Sequence, residues 1–235
     1  RVLFRSLAKG VDPVERQRGL AGEPEDEHSR YLECEVFGLT VASIYLPNGN
    51  PQPGPKFDYK LRWIDRLRAR ALELLAHEVP AVLAGDYNVI PNDDDVFSVK
   101  AMASDALMQP ESRAGYRALL AQGWTDALRA RYPDEKIYTF WDYFRQHWQT
   151  NSGLRIDHLL LSPDLRMRDA GVDKWVRGEE KASDHAPTWV VIESGGETAK
   201  PAAKKVAAKK VATKKAAAKT RAARKAPAKK AEIGR

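Results

Sequence analysis

Apolar residues recur along this chain at two spacings. Between residues 58 and 78 they fall at Leu61, Ile64, Leu67, Ala71, Leu74 and Leu75, the three-and-four rhythm of one face of an amphipathic helix. Arg62, Arg66, Arg68 and Arg70 cover much of the remainder and read as its solvated face. The same rhythm predicts a second helix around residues 112–122, burying Tyr116, Leu119 and Leu120. Residues 31–36 alternate instead and predict a strand. Phe37 and Gly38 turn the chain into a second strand over residues 39–46, forming a hairpin. Residues 81–84 are a continuous apolar run between Pro80 and Gly85, the mark of a short buried strand. Further strands are predicted at 154–161, whose second half is wholly apolar, at 167–172, and at 188–192. Residues 11–14 read as a strand end or a turn.

The segments between are polar. Glu23 to Glu27 and Asn92 to Asp95 read as solvated acidic loops, since the second lacks the glycine and closing glutamate of an EF-hand. No run of about 18 apolar residues occurs, so no membrane span is expected. The apolar part of the first six residues is too short for a signal peptide. Cys34 is the single cysteine, which excludes a disulfide within the chain and suggests a reducing compartment. The expected location is the cytoplasm, in association with the nucleoid.

Charge divides the chain in two. Residues 197–235 hold 14 Lys and Arg against 2 Asp and Glu, leaving 25 basic and 30 acidic residues elsewhere. From Ala202 a five-residue period (AAKKV, AAKKV, ATKKA) spreads lysine pairs around any helix these residues could form, so no apolar face exists to dock. The expected organisation is a folded domain over 1–193 and a disordered basic tail over 194–235.

Polar residues cluster at the ends of the predicted strands: Tyr45, Asp86 with Asn88, Asp157, and Asp184 with His185. Each has an ordinary use. Tyr45 can cap the core, Asp86 and Asn88 can turn the chain, Asp157 can pair with Arg155, and His185 can be structural. His158 points opposite to Asp157 on a regular strand and is read as structural. As a set they suit phosphoester hydrolysis, which wants a divalent cation on oxygen ligands, a group acting on water, and donors that stabilise the leaving oxygen. Asp184 can ligate Mg²⁺. His185 can act on the water while Asp157 fixes its tautomer. Asp86 and Asn88 can position nucleophile and phosphate, and Tyr45 can steady the phosphate or leaving group.

The segments Tyr45-Leu-Pro-Asn48, Gly85-Asp-Tyr-Asn88, Tyr138-Thr-Phe-Trp-Asp-Tyr143, Asn151-Ser-Gly-Leu-Arg-Ile-Asp157 and Ser183-Asp-His-Ala-Pro187 resemble exodeoxyribonuclease III and the AP endonucleases of the endonuclease/exonuclease/phosphatase superfamily. The resemblance runs from about residue 7 to 192. It implies a four-layered α/β sandwich, two β-sheets flanked by helices, with the site at one edge. It implies Mg²⁺- or Mn²⁺-dependent cleavage of double-stranded DNA, 3′→5′ from its ends and 5′ to abasic sites, by a monomer. By position it makes Tyr45, Asp86, Asn88, Asp157 and His185 catalytic, and Asp86, Asn88, Asp184 and His185 metal-associated. It assigns Asn48, Phe140, Trp141, Asn151, Leu154 and Arg155 to substrate binding. Extruding an abasic nucleotide is cheap because no base must be unstacked. The family's opening Trp-Asn strand and its Gln-Glu segment have no counterpart here, so the domain is expected to lack amino-terminal strands. An alternative reading follows: a catalytically impaired fragment that binds DNA non-specifically through its tail. A third keeps the hydrolase and makes the substrate a phosphoinositide, against which Phe140 and Trp141 argue.

Overall fold

The buried run at residues 81–84 becomes the centre of a six-stranded sheet in the structure, a computed structural model that describes residues 9–193. In chain order the strands are β1 (Val14–Arg18), β2 (Tyr31–Val36), β3 (Leu39–Tyr45), β4 (Ala81–Asp86), β5 (Thr125–Asp126) and β6 (Asp157–Leu161). They lie side by side as β1-β2-β3-β4-β6-β5. The predicted hairpin pairs antiparallel, with Val36 opposite Leu39. β4 runs parallel to β3, which requires a crossover, and α1 (Pro55–Ala76) supplies it. β6 returns antiparallel to β4. Two further strands, β7 (Met167–Val172) and β8 (Thr188–Ile192), form a separate antiparallel pair.

Alternation along the central strands decides what each face covers. Ala42, Ile44, Ala81, Leu83 and Leu160 face one way and pack with Trp63, Ile64 and Leu67 of α1 and with Tyr116 and Leu119 of α3 (Pro110–Ala121). Val82, Leu159 and Leu161 face the other way, onto Ala170 of β7, Val190 and Ile192 of β8, and Leu128 of α4 (Ala127–Arg131). The result is two sheets face to face with helices outside the larger one. The short helices α2 (Val99–Met102) and α5 (Lys174–Arg177) lie in the connections. Among the described residues no helix is long and apolar enough to cross a membrane.

Four local readings are corrected. α1 begins at Pro55 rather than at residue 58, because proline's missing N–H costs nothing in the first helical turn. β1 runs on to Arg18 where only a strand end or a turn at residues 11–14 was foreseen: Val-Glu-Arg-Gln-Arg is polar and mostly exposed, an edge strand without the alternation that reveals buried ones. Asp26 of the expected solvated loop is almost covered and accepts hydrogen bonds from Tyr59 and Arg66, which hold its carboxyl down at about 2 against the opposing effect of burial. Asp95 is fully buried in ion pairs with Arg129 and Arg155. The expected tail lies outside the described residues.

Candidate active site

Register places three of the candidate side chains in one row. Tyr45 ends β3 opposite Asp86, and Asp86 ends β4 opposite Asp157, the first residue of β6. Partners directly opposite on neighbouring strands share a face, about 5 Å apart. The hydroxyl-bearing ring and the two carboxylates therefore project together from the sheet's end. Gly85 makes this approach possible. Its φ is +149°, and a Cβ there would stand 1.9 Å from the carbonyl oxygen of Ile44, so a side chain would drive β4 off β3 just before Asp86.

His185 reaches the row through two stitched loops. Thr139 N–H donates to Leu154 O at 2.8 Å, Trp141 N–H to Asp184 O at 2.8 Å, and Ala186 N–H to Thr139 O at 2.8 Å. The 183–187 loop is thereby held beside residues 139–141, which are held to the approach of β6. Thr139 Oγ1 also accepts the backbone N–H groups of Ile156 and Asp157, each at 3.1 Å. His185 Nδ1 meets both Asp157 carboxylate oxygens, at 2.9 and 3.1 Å. A carboxylate accepts only, so Nδ1 carries the proton and Nε2 is the atom presented to a reacting group. The Phe140 ring stands edge-on to the imidazole, with centroids 5.0 Å apart.

The second polar group is the turn after β4. Asn88 is buried with φ +48°. Its side-chain amide donates to Leu46 O at 2.9 Å and to Asp86 Oδ2 at 3.0 Å. Its Oδ1 accepts from the Asn48 amide at 3.1 Å. Beneath both lies the fully buried Lys60 of α1, whose ammonium donates to Asn88 O at 2.5 Å and Asn48 O at 3.1 Å. Lys60 is absent from the sequence-based candidates, although a signal existed: it falls in phase with Phe57, Ile64 and Leu67 on the apolar face.

These neighbours perturb one another. Burial, then the charge of Asp157, pushes Asp86 up to about 7, while His185 and Lys60 pull the other way. Burial works against the His185 cation, but the hydrogen bond and charge of Asp157, with Asp86 and Asp184 beyond, carry it up to about 9. Burial takes Lys60 down to about 7 despite Asp86 and Asp105.

The site thus gathers Tyr45, Asp86, Asn88, Asp157 and His185, with Asn48 exposed at the rim and Asp184 half-buried beside His185. Asn151 is exposed, its Oδ1 accepting from Trp141 Nε1 at 3.2 Å. Phe140 is half-buried and Leu154 buried. Two expected substrate contacts are corrected. Arg155 has no exposed surface; its guanidinium is used up by Asp95 (2.7 and 3.0 Å) and Asp126 (2.7 Å), not by Asp157. Trp141 is also wholly enclosed, edge-on to Trp148 at 5.1 Å, so it supports the wall without forming its surface. His158 is structural: Nε2–H donates to Val89 O at 3.0 Å and Nδ1 faces Arg155 at 3.0 Å.

The donors suit a hard divalent cation in kind, being carboxylate and amide oxygens around the half-buried carboxylate pair of Asp86 and Asp157. Among the described residues no three His, Cys, Asp or Glu converge on one point.

Comparison with known proteins places the chain in a family. Residues 2–185 match the Endonuclease/Exonuclease/phosphatase family. The chain is 32% identical over 198 residues to exodeoxyribonuclease III of Haemophilus influenzae, covering 78% of this chain and 74% of that protein. It is 32% identical over 178 residues to the DNA repair nuclease APEX1 of Danio rerio, covering 75% of this chain but spanning only 56% of that relative's length. It superposes on an AP endonuclease from Archaeoglobus fulgidus with a TM-score of 0.73 at 34% identity, covering 77% of this chain and 72% of that one. Sequence and fold agree: this chain belongs to the endonuclease/exonuclease/phosphatase family, among the relatives of exodeoxyribonuclease III and the AP endonucleases.

Proposed function

We propose that this chain is a DNA-repair nuclease that hydrolyses phosphodiester bonds with Mg²⁺ or Mn²⁺, removing nucleotides 3′→5′ from duplex ends and cutting 5′ to abasic sites. The observation that carries the reading is the His185–Asp157 pair standing in the same row as Asp86 and Tyr45. A structural histidine has no need of two carboxylates and a tyrosine at one sheet end.

Asp157 holds the His185 tautomer so that Nε2 faces the phosphate or its attacking water. Asp86, at the end of β4 between Tyr45 and Asp157, is placed to take a proton from water. The Asn88 amide, with both N–H groups given to Leu46 and Asp86, fixes that carboxylate, and to serve charge developing on the phosphate it would exchange the Asp86 bond for a phosphate oxygen. Tyr45 stands where a hydroxyl can steady the leaving group. Asp86, Asn88 and Asp184 would hold the cation, with His185 beside them turned to the substrate rather than serving as a ligand, since its Nδ1–H is given to Asp157; the cation would supply Lewis-acid stabilisation of charge on the phosphate. Phe140 gives the substrate pocket an aromatic wall against His185, suited to a sugar without its base. The lysine-rich stretch after residue 196 adds sequence-independent, salt-sensitive affinity for phosphates.

The test is purified chain with an abasic duplex, a recessed 3′ end and a soluble inositol phosphate, each with Mg²⁺, with Mn²⁺ and with EDTA. Metal-dependent cleavage of the two DNAs supports the proposal. Turnover of the inositol phosphate instead, or DNA binding without cleavage under any metal, overturns it.

A further inference from the structure

Lys60 is a charged side chain with no exposed surface, in the second turn of a helix whose other buried positions are aromatic or aliphatic. Burying an ammonium carries a heavy desolvation cost. The surrounding atoms show what it is used for. Its two hydrogen bonds go to the backbone carbonyls of Asn48 and Asn88, which belong to two different strand-end loops 40 residues apart in the chain. Those residues also meet through their side chains. Asn48 donates to Asn88, and Asn88 donates to Asp86. Asn88 holds a left-handed φ of +48°, a conformation that a non-glycine residue keeps only where its surroundings impose it. The donor that reaches its carbonyl from below is Lys60. Gly49 completes the seat: a Cβ there would stand 2.6 Å from Lys60 Cδ and 3.2 Å from Ala106, so the lysine stem and the loop backbone are fitted against each other.

We propose that Lys60 is a positioning residue of the active site, whose buried ammonium clamps the Asn48 and Asn88 loops to α1 and thereby aims the Asn48–Asn88–Asp86 chain of side chains. α1 spans Pro55–Ala76 and packs along the sheet, so it is a rigid base for such a clamp. The inference rests on the nuclease reading for its kinetic consequence but not for its structural one, and the two are separated in the test.

The experiment compares wild type with Lys60→Met, using the side-chain amide NMR resonances of Asn48 and Asn88 alongside steady-state kinetics on the abasic duplex. With the fold retained by circular dichroism, the Asn48 and Asn88 amides move in K60M while sheet amides hold. kcat falls about 100-fold, the scale of a misplacement near 1 Å, with KM little changed. Unmoved Asn48 and Asn88 resonances overturn the clamp. So does a kcat equal to wild type in an otherwise active enzyme. If wild type cleaves no DNA, the nuclease reading fails, and the resonances alone decide the clamp. Should K60M fail to fold, Lys60→Gln, which keeps a shorter uncharged donor, is judged by the same criteria.

Discussion

Replacing Arg155 with methionine separates a structural arginine from a DNA contact. The guanidinium donates twice to Asp95 and once to Asp126, and all three residues are buried. Both carboxylates lie below their ordinary proton affinity because this cation offsets their burial. Methionine fills much of the volume but leaves two buried charges facing each other. Removing one member of a buried ion pair typically costs about 3–5 kcal/mol. Partial compensation survives here: Asp95 keeps Arg129 at 2.5 Å, and Asp126 keeps the Tyr116 hydroxyl at 2.8 Å. The lower part of that range is therefore expected, about 3 kcal/mol, against a total near 5–15 kcal/mol for a domain. In urea, with a slope of about 2 kcal/mol per molar, the midpoint should fall by about 1.5 M. The assay is tryptophan fluorescence against urea at pH 7, with DNA affinity measured on the same preparations under native conditions. A midpoint unchanged in R155M, together with weakened DNA binding, would refute the reasoning and return Arg155 to the substrate surface.

Gly85→Ala should cost more than the usual strain of about 1–3 kcal/mol, because the added Cβ meets backbone at 1.9 Å; a urea midpoint and cleavage rate both equal to wild type would contradict the close approach of β3 and β4. Stability should also carry a signature of His158. Burial, then the charge of Arg155, lowers its proton affinity from 6.5 to about 4. The unfolded chain thus binds the proton first as pH falls, and stability present above pH 6.5 is lost progressively toward pH 4, by about 3 kcal/mol. Asp86, raised to about 7, works in the opposite direction over much of that window. The quantity to measure is therefore the difference in urea stability between wild type and His158→Gln at pH 7 and at pH 4.5. A difference independent of pH would show that His158 titrates normally.

The legible parts of this fold are those governed by nearest neighbours in sequence. Alternation at 31–36 and the Phe37-Gly38 turn into 39–46 marked the hairpin, and a bounded apolar run marked β4. The polar residues Tyr45, Asp86 and Asp157 stood out because each interrupts an apolar strand at its end. Buried charge was not legible in this way. Asp95 looks solvated within a run of three aspartates until it meets Arg155, 60 residues away, and Arg155 looks available until Asp126 also claims it. A charge is taken into a core only through its partners, and those partners are set by topology rather than by spacing. Lys60 was hidden for the same reason: its acceptors are main-chain carbonyls, which every sequence carries everywhere. β1 escaped because an edge strand with both faces wet needs no apolar period.

The most direct test of the account is single-turnover cleavage of an abasic duplex by wild type and by His185→Asn, with circular dichroism confirming the fold of each. If His185, oriented by Asp157, handles the reacting groups, the asparagine variant should lose about 100- to 10,000-fold in rate while still binding the duplex. Cleavage by His185→Asn at the wild-type rate would contradict it.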